Sequence, residues 1–256
     1  MKKIFNLKEN GTNVKTEIIA GITTFMTMAY ILSLNPSFLA DAGMEWNRVF
    51  SAVAISSAIA CVVMGLYAKL PFALAPGVGL GAFFSYTVCL SMGYSWRFAL
   101  TAIFVEGILF LLFTVLKIRE VIVNSVPDSL KKAIGVGIGM FVAFIGLKNA
   151  GIVIMDQSNL VGLETKWMLG APLVCIVGIF ITGALLVKKV KGAMLIGMIA
   201  ATLVGIPLGV TQFAGGSFLP AAPYFFDFAF SEIASSPESI IDFIIVVFTF
   251  LFDDMF

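Results

Sequence analysis

The chain contains no histidine among its 256 residues. That absence removes the commonest general base near neutral pH and the commonest zinc ligand, and with them most intramembrane hydrolase mechanisms. Charge is scarce too. Asp, Glu, Lys and Arg make up 12% of the residues and balance to +1, so nothing draws the chain to nucleic acid or to acidic partners. There are three cysteines, Cys61, Cys89 and Cys175, each inside an apolar run and without metal-ligand spacing. They read as buried, unpaired thiols rather than a disulfide or a metal site. No Ser/Lys or paired-acid motif at catalytic spacing occurs, which argues against an enzyme, and no ring-forming charged motif argues for a channel. No metal or cofactor is expected.

Apolar residues make up 60% of the chain, and the mean hydropathy is +1.04. Successive apolar runs reach the roughly 20 residues that cross about 30 Å of hydrocarbon, and they do not alternate as barrel strands would. The class is a polytopic all-α membrane protein, with the lipid bilayer as its surroundings. Residues 1–17 read as a polar, cytoplasmic lead-in with no adjoining cleavable signal. Spans are predicted over about Ile18–Leu39, with a kink at Asn35-Pro36, then Val49–Tyr67, Leu70–Met92, Phe98–Leu116, Leu130–Ile152, Trp167–Val187 and Ala193–Val210. Residues 18–212 thus hold seven segments, residues 213–239 form an extracytoplasmic loop, and residues 240–256 open an eighth segment that is cut short. Gly135 and Gly139, in the fifth span, have the spacing used for close helix contact.

The stretch that organises the rest is Leu70–Val88, LPFALAPGVGLGAFFSYTV. Pro71 and Pro76 each remove a backbone donor, and Gly77, Gly79 and Gly81 alternate with Val78 and Leu80, so an extended piece is expected there. In that conformation the three glycines share one bare face that a flat ligand could approach. Unpaired backbone at bilayer depth must be buried in protein or line a cavity, as in transporter sites.

Basic residues test whether this broken stretch crosses. If it does, and the N-terminus is cytoplasmic, the inner side holds Lys2, Lys3, Lys8, Lys15, Lys69, Lys117, Arg119, Lys131, Lys132, Lys188, Lys189 and Lys191, and the outer side Arg48, Arg97, Lys148 and Lys166. Twelve against four obeys the positive-inside rule; a re-entrant loop would put the clusters at 117–132 and 188–191 outside.

Three carboxylates lie at apolar depth: Glu106 in AIFVEGILF, and Asp253 and Asp254 in FTFLFDDMF. A carboxylate near mid-bilayer costs several kcal/mol unless paired, neutralised or hydrated, so each is a candidate for proton coupling. Asp253 and Asp254 point about 100° apart on a helix and cannot share a face.

The segments GTNVKTEIIAGITTFMTMAYILSLNP, ALAPGVGLGAFFSYTV, MGYSWRFALTAIFVEG, KIREVIVNSVPDSLKKAIGVGIGMFVAFIGLKNAGIV and DFIIVVFTFLFDDMF, in this order, resemble the azaguanine-like guanine, hypoxanthine and adenine permeases of the nucleobase-cation symport family. The resemblance implies a purine nucleobase transporter driven by a proton gradient, built as two inverted repeats of seven segments. In that fold the third and tenth segments carry short strands that meet at the midplane. It implies that Gly77–Phe83 is the first strand, with Gly79, Gly81 and Ala82 offering backbone to the purine and Phe83 or Phe84 stacking on its ring. It places Asp254 at the family's segment-eight carboxylate, binding a purine N–H and carrying the proton. Two positions depart from the family: Gly81 stands where an asparagine is usual, and Asp253 where an aliphatic residue is usual. The resemblance covers almost all of this chain and a little over half of a family member. The expected product is therefore a first repeat, truncated and inactive alone. The alternative is a half-transporter or non-transporting interaction subunit that assembles as a homo-oligomer or with a chain supplying the second repeat.

Overall fold

The computed structural model describes residues 11–156, 159–166, 168–212 and 220–255. Lys2, Lys3, Lys8, Trp167 and part of the predicted 213–239 loop lie outside them. The described chain is helical: α1 (Val14–Met28), α2 (Ile31–Asp41), α3 (Trp46–Val63), α4 (Val78–Ala82), α5 (Trp96–Val115), α6 (Ile118–Ser125), α7 (Asp128–Asn149), α8 (Ala171–Val187), α9 (Ala193–Gly205), α10 (Phe230–Ile233) and α11 (Pro237–Met255). A two-residue hairpin, β1 (Val153–Ile154) and β2 (Gly162–Leu163), pairs antiparallel between α7 and α8. Wide π-type turns extend α3 through Met64–Ala68 and α4 through Phe83–Ser91.

Four helical stretches are long and apolar enough to cross a membrane: Val14–Asp41, Trp46–Ala68, Trp96–Val115 and Asp128–Asn149. Shorter apolar helices run over Val78–Ser91, Ala171–Val187 and Ala193–Gly205. The four long stretches lie within a few residues of four of the predicted apolar runs, because a long apolar run satisfies its backbone most completely as a helix, whereas the Leu70–Met92 run is helical only over Val78–Ser91. The helix ends follow from local chemistry. Asn13 Oδ1 accepts from Thr16 N at 3.0 Å to start α1, and Ser95 Oγ accepts from Phe98 N at 3.2 Å to start α5.

The predicted kink at Asn35-Pro36 is displaced. The helix breaks at Ala29 and Tyr30, and Pro36 lies buried inside α2. Pro36 leaves the carbonyl of Leu32 without its helical donor, but that residue stays within α2, so the break at Ala29 and Tyr30 is not the proline's. Lys117–Glu120, which the sequence presents as a charged inner loop, leads into the short helix α6.

The chain divides into two units. The first draws on Met1–Ser33, Ala54–Ala75 and Ala143–Leu219. Here α8 and α9 pack through small residues: a Cβ at Gly178 would stand 3.0 Å from Ala201 Cβ, and the Thr182 side chain fills the space beside Gly197. Gly135 and Gly139, by contrast, have nothing within 4 Å of where a Cβ would stand, so the predicted close contact on α7 is not made among the described residues. Spacing marks a face able to be approached; a neighbour must still be placed on it. Cys61 Sγ meets Leu74 N at 3.2 Å and Leu74 O at 3.3 Å, holding the extended Leu70–Ala75 segment against α3. All three thiols are free; Cys89 is buried as expected, whereas Cys61 and Cys175 are only half-buried.

The second unit draws on Leu34–Val53, Pro76–Val142 and Pro220–Phe256. Its core joins Phe84 and Val88 with Phe98, Ala99 and Ala102 of α5 and Val246, Val247, Phe250 and Leu251 of α11, all fully buried. The stripe on α11 recurs at helical spacing, which fixes how that helix is rotated against α5. Phe98 meets Phe243 edge-on at 5.5 Å. The segment after residue 220 is tied down across this unit. Arg48 Nε donates to Ala222 O at 2.9 Å, Arg48 lies 4.2 Å from the Tyr224 ring centre, Tyr224 Oη accepts from Glu45 N at 3.1 Å, and Thr101 Oγ1 accepts from Ala229 N at 2.9 Å. Ser95 donates through both its backbone N–H and its hydroxyl to the Glu232 carboxylate.

Candidate functional site

Pro76 and Gly77 are extended, Gly77 at φ −64° and ψ 140°, and the chain turns helical at Val78. The predicted strand over Gly77–Phe83 is therefore corrected: the non-helical stretch is Lys69–Gly77, and Val78–Ala82 is α4. A strand must pair its backbone along both edges or be solvated, and the described residues offer no strand beside this one, so its amides turn inward to helical carbonyls. The shared glycine face goes with it. Gly79 and Gly81 point roughly opposite ways, each admitting a different neighbour.

On one side, a Cβ at Gly79 would stand 3.2 Å from Ile138 Cγ2 and 3.6 Å from Asp253 Oδ2. Gly79, Phe83, Ile138, Phe141, Thr249, Phe252 and Asp253 line an open-sided cavity of about 180 Å³ between α4, α7 and α11. The Phe83 ring stands edge-on to Phe250 at 5.2 Å and 90°, which fixes its plane. On the other side, a Cβ at Gly81 would lie 3.4 Å from Asn35 Oδ1. Asn35 is 3% exposed, donates from Nδ2 to Pro76 O at 3.2 Å, and leaves Oδ1 without a partner. Where the family resemblance implies an amide at position 81, the carboxamide beside this turn comes from α2.

The remaining predicted site residues separate. Ala82 and Phe84 are fully buried in packing. Asp254 is exposed and is absent from the cavity lining; it lies within electrostatic reach of Glu106 and Arg119. Glu106, on α5, is 3% exposed with Oε1 unpartnered. The two aspartates thus occupy different environments, as their 100° offset requires. Sequence reasoning had not singled out Asn35, Ile138, Phe141 or Thr249. Asn35 carried a signal, a carboxamide in an apolar run, but its neighbour Pro36 explained it as a kink. The other three are ordinary membrane-helix residues with no local mark.

Just outside the spanning segments, Tyr94 Oη donates to Asp242 at 2.6 Å, and its ring stacks on Phe98 at 4.1 Å. The carboxylate holds the phenolic proton and pushes the Tyr94 pKa above its ordinary value.

The family described as Permease family matches residues 15–255. This chain belongs to it. The permease chain is 41% identical over 215 residues to the guanine/hypoxanthine permease PbuO of Bacillus subtilis (strain 168), covering 83% of this chain and 50% of that protein. It is 39% identical over 215 residues to the adenine permease AdeP of Escherichia coli (strain K12), covering 84% and 48%. To the guanine/hypoxanthine permease PbuG of Bacillus subtilis (strain 168) it is 38% identical over 269 residues, covering 100% and 60%. The permease chain spans about half to three fifths of the length of these curated relatives. It is a membrane protein of a transporter family, not an enzyme.

Proposed function

We propose that this chain forms the first-repeat wall of a purine nucleobase uptake system coupled to protons, set in the cell membrane with its N-terminus cytoplasmic. The observation that carries the reading is the cavity at the broken third segment, where a bare glycine, an oriented phenyl ring and a carboxylate meet at a single point. A neutral, flat base needs stacking surface and a few directional polar contacts, and these residues supply both. At about 180 Å³ the cavity is smaller than the roughly 300–1,000 Å³ of complete small-molecule sites, which suits one wall of an inverted-repeat site whose other wall is a second repeat. Gly79 and Phe83 form the stacking surface, and Asp253 faces it. Gly81, Ala82 and Phe84 support the turn from behind. Asp254, exposed near Glu106 and Arg119, is the proton-coupling acid, with Glu106 as its buried neighbour.

The test is uptake of radiolabelled guanine, hypoxanthine and adenine in cells lacking purine transport. The 256-residue chain is run beside the same chain extended by the second half of a relative. Uptake by the extended chain, abolished by Asp254→Asn with membrane insertion intact, is the expected result. Undiminished uptake after Asp254→Asn removes that residue from the coupling step, and no uptake of any purine by a correctly inserted extended chain overturns the reading.

A further inference from the structure

We propose that Asp253, rather than serving as a second proton carrier, is a specificity residue: it selects purines that present two adjacent N–H donors, the ring N1–H and 2-amino group of guanine, over those that lack the pair. This rests on the purine reading above and narrows it.

The argument begins with what the cavity offers. Gly79, Phe83, Ile138 and Phe141 contribute no side-chain polar atom to it. Thr249 spends its single hydroxyl proton on Ile245 O at 2.8 Å, so its oxygen can only accept. An ionised Asp253 carboxylate likewise only accepts. The polar side chains of the described lining are therefore acceptors, and a ligand held here must bring the donors. Thr249 and Asp253 stand four residues apart on α11, on the same helical face and about 5–6 Å apart at their Cβ atoms.

Geometry then chooses among donors. Asp253 Oδ2 lies 3.6 Å from where a Cβ at Gly79 would be, so the bare wall of α4 lets a ring slide edge-first toward the carboxylate. Phe83, held edge-on by Phe250, offers a face to stack on. A carboxylate binds a fork of two parallel N–H groups better than one, as it does a guanidinium. Guanine carries such a fork on its N1/C2 edge. Hypoxanthine lacks the amino group and offers one N–H. Xanthine turns a carbonyl toward the carboxylate. 1-Methylguanine has a methyl group where the central donor was.

The experiment is equilibrium binding of radiolabelled guanine to membranes containing the inserted chain extended by the second half of a relative, as in the uptake test, with hypoxanthine, xanthine and 1-methylguanine as competitors, repeated for Asp253→Asn and Asp253→Val. In the unmodified chain, hypoxanthine is expected to compete about tenfold to a hundredfold more weakly than guanine, the value of one hydrogen bond to a charged group, and the other two more weakly still. Both substitutions are expected to bring the guanine-to-hypoxanthine ratio towards one while hypoxanthine binding persists. Equal competition by guanine and 1-methylguanine in the unmodified chain overturns the inference without any variant having to fold. So does a ratio unmoved by Asp253→Val, and in either case purine binding stands. Absence of saturable binding of every purine instead removes the purine reading on which the inference depends.

Discussion

Gly79 is where the absence of a side chain matters most. Its missing Cβ leaves the space between Ile138 and Asp253 open, and the first added carbon would already press on Ile138 Cγ2 at 3.2 Å. Valine would carry two further methyls into the cavity. Gly79→Val is therefore expected to weaken purine binding at least tenfold with insertion unchanged, and Ile138→Ala in the same chain to recover part of the loss by removing the tightest contact. Binding isotherms on the two variants check this; unchanged affinity after Gly79→Val would show that the ligand does not pass this wall. Asn35 works at the same scale from the other face. Its carboxamide fastens the Pro76 carbonyl and stands 3.4 Å from where a Cβ at position 81 would lie, an ordinary contact distance, so Asn35 lines that face without excluding a small side chain.

At the scale of the element, α11 brings its two acids to separate places because its rotation is set by Val246, Val247, Phe250 and Leu251. The segment after residue 220 is the other telling element. Its sequence, rich in Phe, Pro and Ser and lacking basic residues, reads as a loop, yet the structure ties it to α3 and α5 through Arg48, Thr101 and Ser95. Arg48→Ala removes both the hydrogen bond to Ala222 O and the cation–π contact with Tyr224. A loss of about 1–2 kcal/mol in local anchoring is expected, read as several-fold faster proteolytic cleavage within 220–236. An unchanged cleavage rate would show the strap to be held by its other ties, those of Thr101 to Ala229 and Ser95 to Glu232 among them.

For the whole molecule, the distribution of basic residues predicts a sidedness that can be measured directly. Cysteines introduced at Lys189 and Lys117 in a chain lacking Cys61, Cys89 and Cys175 are expected to resist an impermeant thiol reagent in intact cells, and one at Asn47 to react. Labelling at Lys117 together with Asn47 would place both on one side and make the third segment re-entrant. The membrane class itself was plain from the chain: four long apolar helices appear where the hydropathy runs put them, to within a few residues. The family too was legible, because an ordered series of extended motifs is far more specific than any one of them.

The sequence by itself determined the helical membrane class, the places of the four long apolar helices and the family, since each follows from composition or from local order along the chain. Only the tertiary structure decided the rest. Whether Gly77–Phe83 is strand or helix depends on a pairing edge supplied from elsewhere, and with none beside it among the described residues the backbone closes into α4. Which aspartate faces the cavity depends on a rotation of about 100°, one residue's step, and that is set by how α11 seats its apolar stripe against its neighbours. Ile138, Phe141 and Thr249 became site residues only by being carried there, for a side chain without chemistry of its own gives no sign in sequence of what it will stand beside.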